Sequence, residues 1–393
     1  MDPIVLDGST LEGGGQILRN AVAFAGLLRE PITIERIRYG RRPPGLKNQH
    51  RVGLELAAKI TSATLTGAKN GSTSITFLPG QAKIPDEYSA DSVTAGAVTL
   101  MFQVALPLLL FSPEPDLEGS KLSPSILTLH GGTNATQAPQ IDYIQHVFLP
   151  FVERHIGIPD IGVEIIRRGY FPKGGGTITF TVPPLPKGNK LNAFSLLERG
   201  KVKAIRGVSH YSRLSNSIGN GMVEGAVRAL RKAGYRAARA DVSQEEFDPG
   251  STAGEDDGVV IDIQPVREDN KVAVAGGSGI FLWAELEGGG FIGGSAVGRK
   301  GVEARDVGEE AAIQLVKGLE NGGCVDEWLQ DQIIIFMALA EGTSEVRCGR
   351  GELELHTRTA IWLAEKLSGA KFAVEEEANA GTIIRCQGIG YAC

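Results

Sequence analysis

The chain has 393 residues, enough for more than one domain and at least one large core, with 42% hydrophobic and 22% charged residues, the balance of an ordinary globular protein. Its net charge of −6 gives no global attraction to nucleic acid, so any polyanion site has to be a local cluster. The 52 glycines fall in short runs without a three-residue period, which excludes collagen and implies many tight turns.

In chain order, Ile4-Val5-Leu6 reads as a strand running into Gly8-Ser9-Thr10-Leu11-Glu12-Gly13-Gly14-Gly15-Gln16, and helical spacing follows at Ile17, Leu18, Val22, Ala25 and Leu28. A glycine-rich loop opening a helix offers unpaired N–H groups and a positive dipole end to an anion; a plain tight turn is the other reading. A strand over 32–39 leads into a basic loop. From 36 to 51 the chain carries Arg36, Arg38, Arg41, Arg42, Lys47 and Arg51 beside His50, which suits phosphate contacts or a solvated loop. A helix to about 60 and a strand pair ending at 74–79 complete the first stretch. The most apolar window, 97–111, holds Gln103 and Pro107 and is too short to span a membrane; it reads as a buried helix.

The same order recurs twice. A strand at 126–130 ends in His130, a helix covers 139–155, and strands at 162–167 and 176–183 flank Phe171-Pro172-Lys173-Gly174-Gly175-Gly176. A third copy begins with a strand over 353–356 that ends in His356, then a helix to about 367 and strands at 371–375 and 382–386. The fold class expected is α+β, as three similar units of roughly a hundred residues about a pseudo-threefold axis. The surplus between copies two and three fits a smaller inserted αβ domain over 185–283, with a helix at 221–233 and strands at 258–263 and 280–285. The repeat-built domain then comprises 1–184 and 284–393 and resumes with Phe291-Ile292-Gly293-Gly294 and a helix over 302–319.

The turn from Gly322 to Gln332 sets Trp328, Asp331 and Gln332 before a buried apolar run; it suits either a nucleotide edge or a helix N-cap with exposed acids. His356, at an expected strand-to-helix corner, is a nucleophile candidate or a packing residue. No serine-hydrolase elbow, Walker loop, dinucleotide fingerprint or zinc-ligand spacing occurs. One histidine, one basic loop, one glycine-rich helix start and one amide, acid and aromatic turn suit phosphoryl or nucleotidyl transfer. The four cysteines lack C-x-x-C spacing and no signal peptide is visible in MDPIVLDGST, so the expectation is an intracellular protein, nuclear (nucleoplasm) or cytoplasmic, with reduced thiols.

Leu11-Glu12-Gly13-Gly14-Gly15-Gln16-Ile17-Leu18-Arg19, Ile37-Arg38-Tyr39-Gly40-Arg41-Arg42-Pro43-Pro44-Gly45-Leu46, Gln49-His50, Arg168-Gly169-Tyr170-Phe171-Pro172-Lys173-Gly174-Gly175-Gly176 and Leu355-His356-Thr357, in this order, resemble the RNA 3′-terminal phosphate cyclase family over nearly the whole chain. The resemblance implies three tandem βαβαββ-type repeats with a small inserted domain; enolpyruvyl transferases share a related architecture, so fold alone leaves function open. It implies ATP-dependent conversion of an RNA 3′-phosphate end to a 2′,3′-cyclic phosphodiester, through histidinyl-AMP on His356 and an RNA-(3′)pp(5′)A end. A noncatalytic family branch acts in ribosome biogenesis and lacks the nucleophile; His356 and the intact Glu12 motif argue against it here.

By the same resemblance Glu12 binds a divalent metal (Mg or Mn). Arg19, Arg38, Arg41, Gln49 and His50 hold the RNA terminal phosphate or the ATP phosphates, and Gln103, Pro139, Trp328, Asp331 and Gln332 form the adenylate pocket. The family usually has Tyr or His where this chain has Trp328, whose indole stacks but carries a different polar handle. Implied partners are ATP and RNA with a 3′-phosphate end, with no membrane; the oligomeric state is open, a homodimer among the options.

Overall fold

A computed structural model describes residues 2–111, 122–135, 137–236, 258–377 and 381–393. They form a mixed α+β structure built on small mixed sheets. The first sheet has the order β1 (Ile4–Asp7), β2 (Ile32–Glu35), β4 (Ile75–Leu78), β3 (Thr64–Thr66), with α1 (Gly15–Leu28) and α2 (Asn48–Ile60) in its connections. β1 and β2 are parallel, and β4 is antiparallel to both neighbours. The parallel pair requires a crossover, which α1 supplies.

The second sheet has the order β5 (Glu87–Asp91), β6 (Ser125–Gly131), β8 (Gly176–Val182), β7 (Gly162–Arg167) with the same pattern of directions. β6 and β8 alternate buried and half-buried residues, so Leu127, Leu129, Ile178 and Phe180 enter the core while Thr128 and Thr179 meet on the other face. α3 (Val98–Leu110) is buried nearly all round, as its apolar sequence requires. The segment after it runs through α4 (Ile141–Tyr143), a π turn at Ile144–Phe148 and α5 (Leu149–Ile156).

β9 (Ser195–Leu196) pairs in parallel with a strand about 150 positions away, β14 (Thr343–Gly349). The remaining members of that sheet are β16 (Gly381–Gln387) and β15 (Lys371–Glu377), in the order β15-β16-β14-β9. Between β9 and β14 lie a further sheet and α8 (Glu327–Leu339). That sheet has the order β11 (Val260–Arg267), β10 (Val202–Ser212), β12 (Gly277–Leu286), β13 (Phe291–Val297), covered by α6 (Asn216–Lys232) and α7 (Ala304–Glu320). It has its own hydrophobic cluster, centred on Ile205, Met222, Leu230, Leu282, Ala311 and Leu315. The helices α1, α3, α8 and α9 (Leu355–Ser368) pack together in the larger cluster.

The structure departs from the expectations at four places. The cut at 283 falls inside β12, and β13 and α7 belong to the inserted sheet rather than to the resumed repeat domain. α7 is bound there by a close helix crossing: a Cβ at Gly308 would sit 1.8 Å from the Met222 carbonyl oxygen, and one at Gly225 would sit 1.9 Å from that of Arg305. At the other end, the 185 boundary leaves β9 outside the sheet it joins. The strand expected over 353–356 is absent, because β14 has already ended at Gly349 and both Gly349 and Gly351 adopt left-handed φ. His356 therefore stands in the first turn of α9, two positions after the N-cap Glu354. The strand expected over 32–39 stops at Glu35, where Arg36 and Arg38 turn the chain with positive φ. No helix among the described residues is long and apolar enough to cross a membrane.

Candidate active site

The glycine run before α1 is shaped around side chains. The Glu12 carboxylate folds back over the loop, and a Cβ on Gly14 would lie 1.9 Å from its Oε1. The next glycine makes room for two other residues: a Cβ on Gly15 would meet Arg19 Nη1 at 2.8 Å and His50 Nε2 at 2.9 Å. Arg41 donates to Glu12 Oε1 at 2.8 Å, the Thr359 hydroxyl of α9 accepts from the Glu12 N–H at 3.2 Å, and Glu12 Oε2 is buried without a partner. A buried, half-satisfied carboxylate has an open coordination position to fill.

The basic loop divides. Arg41 faces Glu12, whereas Arg38 is only 7% exposed and turns inward, donating Nη1 to the carbonyls of Gly45 at 2.9 Å and Pro43 at 3.2 Å. Gln49 and His50 lie in the first turn of α2. The Lys47 N–H donates to His50 Nδ1 at 3.2 Å, so the neutral ring carries its proton on Nε2, the nitrogen facing Gly15 and Arg19. Burial, with Arg19, Arg38 and Lys47 nearby, pushes the His50 pKa down to about 3. The Arg19 guanidinium, also lowered by burial and steadied by Asp331 and Glu12, donates to Gln16 and keeps a buried Nε without a partner.

α3, which packs against α1 and α2, and α8 complete the surroundings. Asp326 caps α8: its Oδ1 accepts from the Leu329 N–H at 2.9 Å and from the Tyr143 hydroxyl at 2.6 Å, while Oδ2 accepts from the Gly293 N–H at 2.7 Å. One carboxylate thus joins α8 to α4 and to β13 of the inserted sheet. This N-cap is not the exposed one of the sequence reading, since Asp326 and Asp331 are both buried. Burial raises Asp326 to about 6 and Asp331 to about 7, the latter held back by Arg19. Gln332 donates back to the Trp328 carbonyl at 2.7 Å.

These elements enclose a cavity of ≈ 320 Å³. Gly15, Arg19, Gln49, His50, Gln103, Pro139, Trp328 and Asp331 line it, with His356 at the exposed first turn of α9. Arg38, Arg41, Glu12 and Gln332 do not line it. Arg41 and Glu12 nevertheless act electrostatically on His356, whose pKa is lowered mainly by partial burial and further by Arg19 and Arg41, against Glu12 and Glu354. The N-terminal end of α9 disfavours the imidazolium as well. Sequence reasoning missed Leu100, Gln137, Glu327 and Glu354, which also line the cavity. Only Glu327 and Glu354 had a signal, as acids beside Trp328 and His356.

Residues 10–374 match the family model described as RNA 3′-terminal phosphate cyclase. A relative from Dictyostelium discoideum named probable RNA 3′-terminal phosphate cyclase is 38% identical, the match covering 98% of this chain and 83% of the relative. One from Drosophila melanogaster named RNA 3′-terminal phosphate cyclase is 35% identical over 98% of this chain and 96% of its own. The protein of that name from Staphylothermus marinus is 36% identical over 99% of each.

Proposed function

The chain belongs to the RNA 3′-terminal phosphate cyclase family, and from that premise we propose that it closes RNA 3′-phosphate ends to 2′,3′-cyclic phosphodiesters using ATP. One observation carries the reading: an uncharged, exposed imidazole shares a cavity with the Arg19 cation, the Gln49 and Gln103 amides, the Trp328 indole and the Asp331 carboxyl. Adenine stacks on Trp328 beside Gln103, Pro139 and Asp331, with Gln332 holding the Trp328 turn. The phosphates lie toward Arg19, Gln49 and His50. His50 gives them an Nε2–H donor rather than a charge, and Arg19 supplies the cation.

His356 attacks the α-phosphorus of ATP, forming a P–N bond as pyrophosphate leaves. An imidazole kept below its ordinary pKa needs no general base for this. An oxygen of the RNA 3′-phosphate then displaces the imidazole, giving RNA-(3′)pp(5′)A. Attack by the vicinal 2′-OH expels AMP and closes the ring. Activation is needed because a phosphate monoester has no good leaving group until it is adenylylated.

Glu12 fits a divalent ion, its Oε2 being a buried oxygen without a partner. No group of three or more His, Cys, Asp or Glu gathers for a metal among the described residues, so phosphate oxygens and water would complete the shell, as is usual for Mg²⁺. When bound, the ion would neutralise phosphate charge. Arg41, paired with Glu12, orients that carboxylate; Arg38 acts from inside the loop by fixing its carbonyls.

The proposal extends to architecture. The shared strand order of the first, second and third sheets supports three tandem βαβαββ units about a pseudo-threefold axis, with β10–α7 inserted in the third. Buried free thiols at Cys324, Cys348 and Cys386 support an intracellular site of action.

The test is incubation with ATP labelled at the α-phosphate and Mg²⁺ or Mn²⁺, followed by a denaturing gel. Wild type should give an acid-labile, alkali-stable labelled band that RNA with a 3′-phosphate discharges, and His356→Ala should give none. A wild-type chain that takes no label under any metal condition would move the protein to the noncatalytic branch.

A further inference from the structure

The Arg168-Gly169-Tyr170-Phe171-Pro172-Lys173-Gly174-Gly175-Gly176 loop has no part in the chemistry above, and its construction is uneven. Its base is locked. Arg168 makes two 2.8 Å bonds to the buried Asp142 carboxylate and a third contact to Glu268, just past the end of β11. The Tyr170 hydroxyl lies 3.1 Å from His210 Nδ1, and the Gly174 N–H returns to the Tyr170 carbonyl at 2.9 Å. The tip does the opposite: Phe171 is 62% exposed and Lys173 is exposed beside it.

Gly174 approaches Thr94 and Ala95, and the preceding residue, Val93, is 77% exposed and held at φ 60°, a conformation that β-branched residues rarely adopt. It belongs to a turn that connects the tip with the cavity. A Cβ on Gly174 would lie 2.8 Å from Ala95 Cα, and one on Gly96 would lie 3.0 Å from Gln49 Cβ. Asn48, beside Gln49, donates its side-chain amide to the Ser92 carbonyl. Asp91 Oδ1 accepts from the Val93 N–H at 2.6 Å. An aromatic ring, a valine and a cation therefore stand on a braced frame that continues from the start of α2, where Gln49 lines the cavity.

We propose that Phe171, Val93 and Lys173 form a platform for single-stranded RNA, carrying the nucleotides just upstream of the 3′-phosphate. The bases rest on Phe171 and Val93, and Lys173 meets a backbone phosphate. Stacking on an aromatic face tolerates any base, as a substrate defined by its terminus and not its sequence requires. The braced base presents the ring already ordered, so little freedom is lost on binding. The proposal rests on the cyclase reading for its ligand.

The experiment measures fluorescence anisotropy of a short labelled single-stranded RNA with a 3′-phosphate, competed by a mononucleoside 3′-phosphate. Phe171→Ala should weaken RNA binding roughly 5- to 100-fold while the mononucleotide competes as before; Phe171→Trp should restore the affinity. Lys173→Ala should lower the salt dependence by about one counterion. Unfolding midpoints check that the variants fold. The platform is overturned if Phe171→Ala binds RNA as wild type does, if it loses the mononucleotide equally, or if wild type binds no RNA. Labelling by ATP separates the two claims. Wild type that binds RNA through Phe171 but takes no label sinks the cyclase reading alone; labelled enzyme with an indifferent Phe171 sinks the platform alone.

Discussion

Replacing Gly14 with alanine should separate folding from activity. The added methyl would lie 1.9 Å from Glu12 Oε1, and ordinary contact needs about 3.4 Å, so the carboxylate has to move by roughly 1.5 Å. The obstacle is the end of a flexible side chain, and the loop can keep its path. The move breaks the Arg41–Glu12 pair, whose arginine is half exposed, at a cost of up to about 1 kcal/mol. Gly14 sits at φ −129°, ψ −140°, outside the main regions for a residue with a Cβ, so a stiffer unfolded chain offsets little of this; Glu12 Oε2 gains access to water. The net change in stability is about 1 kcal/mol or less. A displacement of that size at the carboxylate proposed to hold the metal should slow adenylylation about a hundredfold and raise the Mg²⁺ needed. Single-turnover transfer of label from ATP over a Mg²⁺ series, with a denaturant melt on the same preparation, reads both quantities. Wild-type rates at every Mg²⁺ concentration in a folded Gly14→Ala protein would refute the role given to Glu12.

Asp331 should make stability depend on pH. Its folded pKa is raised from an ordinary 3.8 to about 7 with the opposing pull of Arg19 already included, so its contribution is fully present below about pH 4 and is lost as pH rises through about 7, up to about 4 kcal/mol. Asp331→Asn should therefore flatten the stability profile across that window in urea melts, and an unchanged slope would contradict the buried, raised carboxyl. Asp326→Asn places an amide N–H₂ where two oxygens accept three donors and should cost about 2–4 kcal/mol. The KM for ATP should rise more than kcat falls, because Trp328 is displaced without touching His356; a stable variant with wild-type kinetics would show that the joint carries no strain to the cavity.

The sequence was most legible where a single periodicity decided the outcome. The alternation in β6 and β8 and the apolar run of α3 needed no knowledge of partners. Glu352-Leu353-Glu354-Leu355-His356 also alternates, yet there the pattern came from exposed acids in a turn around one buried Leu353, and the left-handed glycines before it had already ended the strand. Assigning β13 and α7 depended on which sheet they pair with, and on glycines that accept a neighbouring helix, neither of which is a local property. In the site, the basic run marked a charged loop correctly but could not say that Arg38 points inward. Gln137 left no trace, because nothing but the fold carries it to the cavity wall.

The pairing of β9 with β14 sets a schedule for folding. Ser195 must find Glu345 across 150 residues, a loop closure that costs entropy if the intervening chain is open. Once β10 to α7 has collapsed on its own hydrophobic cluster, Arg199 near its start reaches the Leu319 carbonyl near its end, 3.0 Å away. The flanking segments are then delivered together and the closure becomes short. The β10–α7 unit thus serves as a clasp for the β9–β14 pair alone, since β14, β16 and β15 pair within 343–387, and damage to its core would surface as a missing β9–β14 pair far from the lesion.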